Sequence, residues 1–515
     1  MESTTSKKTI YVRVFLVTLL IGLLLYSFLG EKQPYNDGQG WDGRLYYQMC
    51  NNSLHDIFHH GYSTYYVHRF LPFAFVNGFQ MIFGYEHTMF FMMLTLFIAI
   101  MVGVWGFFKI SNYLQLNIGV ETVAFAFIFF NHGLLRCGYS PYGTDVFALA
   151  MGIWFCYFFL RKEKLGMTCV AFAGAFIWQA IWPIACILFA LPWDNYNVMQ
   201  PRQQVNTIGN KMTELIKIGF ILIPLVSLAY LVKICIKYGL PLSNYAEIIP
   251  YFYCESATSI VGLILSIIGF TAYIAFLLYP IHFDLFDAIK HLLKSLQIGY
   301  IIGAILLAGT MYGIVHVLGN TDIDNPTNMI SAIRRILWEP LTFPLKFLEG
   351  HLLSFGLVII FFLIYYKQIL QVVHNHSYGY LFCLIYIVAL GSQTEVRFII
   401  NMLPFLVFAI AQVMNQYNYR KWVTPIIIVT QLILSHFWFH INTPEILATT
   451  ITEDDMTYIQ YPLQRMFEYS GGPWQSTENY YKWISIFIII LIIVYYLHKS
   501  NKLYRQSSVI TTTKQ

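Results

Sequence analysis

Residues 10–29, IYVRVFLVTLLIGLLLYSFL, run directly through Gly30 into the polar segment 31–48, EKQPYNDGQGWDGRLYYQ. An apolar run of this length, carrying one charge at Arg13, matches the roughly 20 residues a helix needs to cross a bilayer. In lipid such a segment must be helical, because its backbone groups have no water to pair with. It follows Lys7-Lys8, and it exceeds the apolar core of about 7–15 residues found in a cleaved signal peptide. Ser27-Phe28-Leu29-Gly30 is also a poor cleavage site. The run therefore reads as a retained first transmembrane helix with its N-terminus inside, which places residues 31–69 outside.

The rest of the chain repeats the pattern. Of 515 residues, 57% are hydrophobic and 11% charged, about half the charge of an ordinary globular domain; the mean hydropathy is +0.58. Apolar segments recur near 88–109, 119–135, 146–160, 166–192, 216–236, 257–280, 297–317, 351–366, 378–391, 397–413, 423–439 and 484–497. The run 166–192 is broken by Trp178-Gln179 and Pro183. The expectation is an all-α polytopic membrane protein with about 12–14 transmembrane helices and an interfacial helix from His68-Arg69-Phe70-Leu71-Pro72 to Gly84. Lys and Arg concentrate in the loops that this arrangement puts inside, and both termini are expected in the cytoplasm. The chain reads as one integral-membrane domain, 1–515. Residues 1–165 carry the first outer loop, and 166–515 the remaining helices and an outer loop at 440–483.

Composition also excludes function classes. The net charge of +5 is scattered between apolar segments, without the basic stripe of a nucleic-acid binder. The eight cysteines include no C-x-x-C pair, so neither a zinc site nor a redox motif is indicated. A disulfide among Cys50, Cys137 and Cys254 stays open. His55 and His59 have the i, i+4 spacing of a helical ligand pair but lack a clear third ligand, so no metal or other cofactor is assigned.

The ionisable groups expected near outer helix ends are Asp37, Asp42, Arg44, Arg69, Arg136, Asp145, Glu395 and Arg397. Charge near a bilayer is costly and is generally paired or functional. Arginines bind phosphate bidentately, and a carboxylate can take the proton of an attacking hydroxyl. Trp41, Tyr46, Tyr47, Tyr65, Tyr66, Tyr139 and Tyr142 suit stacking on sugar rings or lipid headgroups. A lipid-linked phosphosugar donor with a hydroxyl-bearing acceptor accounts for the set.

Structural roles stay open beside these. Asp42 and Asp145 can cap helices, Asp37 can form a turn, and Arg69 can snorkel to the interface. Glu395 and Arg397, two apart, would not face each other on a helix. Asn51-Asn52-Ser53 is a glycosylation sequon.

Trp41-Asp42-Gly43-Arg44-Leu45-Tyr46-Tyr47 resembles the aromatic-Asp-Gly-x-x-Tyr-Tyr element in the first outer loop of many C-type-fold glycosyltransferases. His68-Arg69-Phe70-Leu71-Pro72-Phe73 is similar to their Arg-x-Leu-Pro element. Tyr139–Asp145 sits where they carry a short polar loop before the fourth helix, and Glu395–Phe405 resembles a late Glu-x-Arg element ending in Pro404. The resemblance covers about the first 165 residues and this late patch. It implies a polyprenyl-phosphate-sugar donor, a glycan, lipid or protein acceptor and an outer-face active site. Asp42 would be the catalytic base, and Arg69 and Arg397 would hold the leaving phosphate. Arg44, Tyr46, Tyr47, Tyr142, Asp145 and Glu395 complete the expected substrate site. Many relatives carry two adjacent acids in this loop, whereas Asp37 and Asp42 are five apart; which is the base, and whether a divalent metal is needed, stays open.

Ile-rich usage and abundant Tyr lean toward a bacterial inner membrane. The alternatives are a polysaccharide polymerase or ligase, with arginine-bearing outer loops, and a transporter or flippase. The last would place ionisable groups deep within broken helices.

Overall fold

The computed structural model describes residues 7–33, 39, 41–191, 208–239, 241–242, 260–320, 322–323, 335–393, 395–442, 475 and 477–504, with only the backbone at Trp41, Asp42 and Ser295. Asp37, Cys254 and most of the 440–483 loop lie outside these residues, as does the Asp42 side chain. The described regular structure is helical. In chain order it comprises α1 (Lys7–Leu29), α2 (Trp41–Asp56), α3 (Thr64–Val67), α4 (Leu71–Phe83), α5 (Thr88–Tyr113), α6 (Ile118–Phe129) and α7 (His132–Leu135). Then follow α8 (Asp145–Leu160), α9 (Lys164–Ala175), α10 (Ile181–Ala190), α11 (Ile208–Ile221), α12 (Ile223–Tyr238), α13 (Ile260–Leu278), α14 (Leu285–Ser295) and α15 (Ile298–Leu318). The last are α16 (Lys346–Phe355), α17 (Val358–His376), α18 (Tyr378–Leu390), α19 (Leu403–Asn415), α20 (Val423–Leu434) and α21 (Thr477–Lys499).

Among the described residues seven helices are long and apolar enough to cross a membrane, or eight if the bent α6–α7 pair is one span. The chain is thus a multi-pass helical membrane protein by length and composition, and the described residues hold seven or eight full-length spans beside the twelve to fourteen helices expected. Seven further apolar helices run only 10–17 residues, or about 15–26 Å at 1.5 Å per residue, short of the roughly 30 Å hydrocarbon core. The 166–192 run resolves into α9 and α10, separated by a turn at Trp178. The 351–366 segment is divided at Gly356, whose φ of +65° is a left-handed conformation suited to glycine. The stretch opening at Leu71 forms α4, with Pro72 in its first turn. Pro is tolerated there because that N–H has no helical partner.

Burial separates two kinds of helix. Only 17% of the apolar window of α15 or α21 is buried, against 61% for α17. The outer faces of α11, α13, α15 and α21 present large apolar side chains such as Leu215, Ile264, Ile305 and Ile492. Such exposure fits lipid contact, since an apolar face in water would associate or aggregate. The inner layer is built on α8, which is apolar nearly throughout and mostly buried. It packs on α5, where Gly103 and Gly106 face Ala150, Ile153 and Trp154. On α19's side, a Cβ on Gly152 would lie 2.0 Å from the Asn401 carbonyl oxygen. Small residues allow this backbone approach, the usual device where helices associate in lipid.

A buried ion pair ties α1 to the same layer. Arg13 Nε and Nη2 donate to the two Glu121 oxygens on α6 at 2.8 and 2.6 Å, and Nη2 also donates to Asn112 Oδ1 at 2.6 Å. Ser111 donates to the same carboxylate. α2 is held to α4 and α5 through Asn51, whose Oδ1 accepts from Gln80 (3.2 Å) and Thr88 (3.3 Å). The sequon asparagine is therefore a packing residue here.

Gly152→Ala should cost roughly 1–3 kcal/mol by overpacking the α8 contact. Gly78→Ala, with no atom within 4 Å of an added Cβ, should be neutral or stabilising. Thermal unfolding of the purified variants measures both, and equal stability of the two would refute the close contact.

Candidate functional site

Two turns of α2 meet the loop that precedes α8. Gly43 approaches Tyr142 so closely that a Cβ would sit 3.2 Å from Tyr142 Cβ. One turn on, the Tyr47 ring meets Tyr142 edge-on with centroids 5.6 Å apart. Upstream, Gln33 donates its backbone N–H to the Tyr139 carbonyl (3.1 Å) and its Nε2 to Ser140 Oγ (3.2 Å). The backbone of Asp42 is thereby held beside Tyr142, three residues before Asp145.

Tyr46 points inward. Its ring stacks on Phe73 at 4.7 Å, and its hydroxyl accepts a 2.7 Å bond from Arg69 Nη1. Arg69 is 4% exposed and lies over the rings of Tyr65 (4.2 Å) and Trp178 (5.2 Å). Tyr46 is thus buried between Phe73 and Arg69, and of the structural roles left open for Arg69, snorkelling to the interface does not fit a guanidinium enclosed by aromatic rings. A guanidinium suits such a cage because it is planar and weakly hydrated.

Asp145 occupies the first position of α8, but its side chain does not cap the helix. Oδ2 pairs with Arg136 and lies 3.9 Å from Arg397 Nη1. Oδ1 is buried without a hydrogen-bond partner among the described residues. The charge of Arg69 also acts on this carboxylate. Arg397 in turn grips Glu395 with Nε at 2.7 Å and Nη2 at 2.6 Å. The two residues can meet because Glu395 precedes the 3-10 turn Val396–Ile399 on non-helical backbone (φ −83°, ψ 70°) instead of lying two along an α-helix. Glu395 also accepts from Arg335 Nη1 at 3.1 Å, and Arg335 lies 4.0 Å from buried Glu339.

An alternating chain results: Arg136, Asp145, Arg397, Glu395, Arg335, Glu339. Alternation lets each buried charge find an opposite neighbour, without which its desolvation would be prohibitive. The Arg397 side chain is 35% exposed, whereas those of Arg136 and Arg335 are 19% and 20% exposed. Arg397 is the most accessible cation of the chain and the one best able to meet an incoming anion.

Arg335 and Glu339 were not singled out from sequence; their i, i+4 spacing within 318–350 was the available signal. Arg44 lies on the exposed side of α2. His55 and His59 stack at 4.1 Å on exposed backbone, with Asp56 and the His55 carbonyl as partners. Cys50 and Cys137 are buried free thiols.

On the other side of Arg136 lies a cavity of about 140 Å³ walled by Tyr26, Glu31, His132, Tyr139, His436 and His440. His132 Nε2 and Tyr139 Oη are 2.9 Å apart. Burial alone would raise the Glu31 carboxyl, but the N–H groups of Asn442 (3.0 Å) and Ile441 (2.8 Å) and His440 Nδ1 (2.6 Å) hold it below its ordinary value. Farther along, Glu349 is fully buried on α16, which packs against the Arg397 turn. It accepts a 2.6 Å bond from Gln475 Nε2, yet burial pushes its carboxyl up to about 8.

No protein-family model, curated protein or solved structure matches this chain.

The raised Glu349 value has a signed consequence. Its protonated form favours the fold fully below the ordinary value of 4.5, and that contribution is lost as pH rises through about 8. Glu349→Gln should therefore gain thermal stability relative to the parent above pH 8, with little difference near pH 4.5. A pH-independent difference between the two melting curves would refute the buried-acid assignment.

Proposed function

We propose that this chain is an integral-membrane glycosyltransferase of C-type fold. It transfers a sugar from a polyprenyl-phosphate carrier to a hydroxyl of a glycan, lipid or protein. The observation that carries the proposal is the convergence of segments distant in sequence. The start of α2, the Arg69 turn, the Tyr139–Asp145 loop and the Glu395–Arg397 turn come together around Tyr142, Asp145 and the arginines. We assign the site to the outer face of a bacterial inner membrane, with both termini cytoplasmic.

In this reaction Asp42 removes the proton from the acceptor hydroxyl. The resulting oxygen attacks the anomeric carbon while the bond from that carbon to the lipid phosphate oxygen breaks. Direct displacement inverts the anomeric configuration. Negative charge builds on the departing phosphate, and a preorganised cation is most effective where charge develops. Arg397 supplies the contact, and enclosed Arg69 adds its field from behind Tyr46. Asp145 and Glu395 fix the Arg397 guanidinium, so little reorganisation is needed during transfer.

The test is glycan profiling of a deletion strain complemented with the parent, Asp42→Asn or Asp37→Asn, with membrane expression checked by immunoblot. Asp42→Asn should lower transfer by about 10²–10⁴-fold, the usual contribution of a general base, and a discrete sugar branch should disappear. Collapse of chain length to one repeat unit would favour a polymerase. Full activity of Asp42→Asn would remove Asp42 as the base.

A further inference from the structure

The far end of the helical bundle holds a much larger cavity, of about 1030 Å³. α19 leaves the Arg397 region and ends here at Asn415, while α6 and α20 both begin here. Twelve or thirteen helical residues therefore separate this cavity from the arginine–acid chain, roughly 18–20 Å. Its volume is at the upper end of ligand pockets, which run about 300–1,000 Å³.

The lining is basic and rich in amides. Arg420 and Lys421 are adjacent on the wall, with Asn117, Asn415, Asn418 and Asn501 around them. Among the described residues no carboxylate lines the cavity. Arg420 is fixed rather than loose: its backbone N–H donates to the Leu503 carbonyl at 3.0 Å, and Nε donates to the Tyr504 carbonyl at 3.1 Å. The floor beneath is equally built. Tyr419 and Tyr504 form a backbone bridge, their rings pack 5.1 Å apart, and Tyr419 Oη lies 2.7 Å from Tyr365 Oη. Gly119 and Thr424, in the first turns of α6 and α20, also line the cavity, so two helix N-termini add to the positive potential of the cations.

We infer that this cavity binds a phosphate-bearing anion, either the headgroup of an acidic phospholipid or a soluble phosphate ester. Paired cations, with no lining acid among the described residues, match phosphate chemistry, while Asn117 and Asn415 bond to each other and brace the wall. Trp422, Ile426 and Val429 expose apolar surface along α20 beside the cavity, which gives a lipid's acyl chains somewhere to lie. The inference is independent of the glycosyl-transfer proposal, because it uses none of the same residues.

Native mass spectrometry of the full-length protein released from nanodiscs of mixed phosphatidylglycerol and phosphatidylcholine tests the lipid source. Thermal shift with pyrophosphate tests the soluble one. At about 1 kcal/mol per basic residue near a lipid surface, Lys421→Gln should weaken retention of phosphatidylglycerol about fivefold, and Arg420→Gln with Lys421→Gln about thirtyfold. Lys421 is exposed, so the single variant keeps the test valid if the double variant misfolds. Lys109→Gln with Lys162→Gln, exposed charges outside the cavity, should leave retention unchanged. Stabilisation by pyrophosphate without preference for phosphatidylglycerol would support the site with a soluble ligand. The inference is overturned if the parent shows neither effect, if the cavity variants bind as the parent does, or if the control pair loses as much as the cavity pair.

Discussion

A carboxylate at the head of a helix buried nearly all round must be neutralised, and this requirement shapes the candidate site. α8 is wedged between α5 and α19 by Gly103, Gly106 and Gly152, so Asp145 cannot turn away to bulk water. Removing one member of a buried ion pair typically costs about 3–5 kcal/mol, because the other is left uncompensated. Arg136 and Arg397 are consequently recruited from segments on either side in sequence. Each recruited arginine constrains its own segment, which draws Glu395, Arg335 and Glu339 into the chain of charges.

The arginines then divide the work by exposure. Arg69, enclosed by Tyr65, Trp178 and Tyr46, is locked and acts at a distance. Arg397 holds one oxygen of Glu395, Oε1, with both Nε and Nη2 and remains partly accessible. A field is steadier when its source cannot move, and binding requires a surface that a ligand can reach. The two arginines are far apart in the sequence, yet both bear on the Asp145 carboxylate, Arg397 by contact and Arg69 through its charge.

Two tethers frame the 440–483 loop. Glu31 accepts from Ile441 and Asn442 where the loop departs, and Glu349 accepts from Gln475 where the chain returns. The departing end is thus fastened beside the polar segment that follows α1, and the returning end to the helix that backs the Arg397 turn. Both anchors are carboxylates, one depressed by donors and one raised by burial. The two ends of the loop should therefore respond to pH in different ranges.

Membrane character was legible from residues 10–29 onward, because a twenty-residue run with a single charge has few other solutions in water or lipid. The polar punctuation at 132–145 and 395–404 also marked charged residues that meet, Arg136, Asp145, Glu395 and Arg397. Which helices are long enough to cross was not legible. The break at Trp178-Gln179 showed as a polar interruption, but the one at Gly356 depends on backbone geometry that hydropathy does not register. The roles of Tyr46 and Arg69 likewise depended on what surrounds them, since an aromatic or arginine reads alike whether it supports or binds. The sequence alone determined that these charges belong to helix ends. Only the tertiary structure decided their pairing, because Asp145, Arg136, Arg397 and Arg335 are brought within bonding reach by helix packing and not by their spacing along the chain.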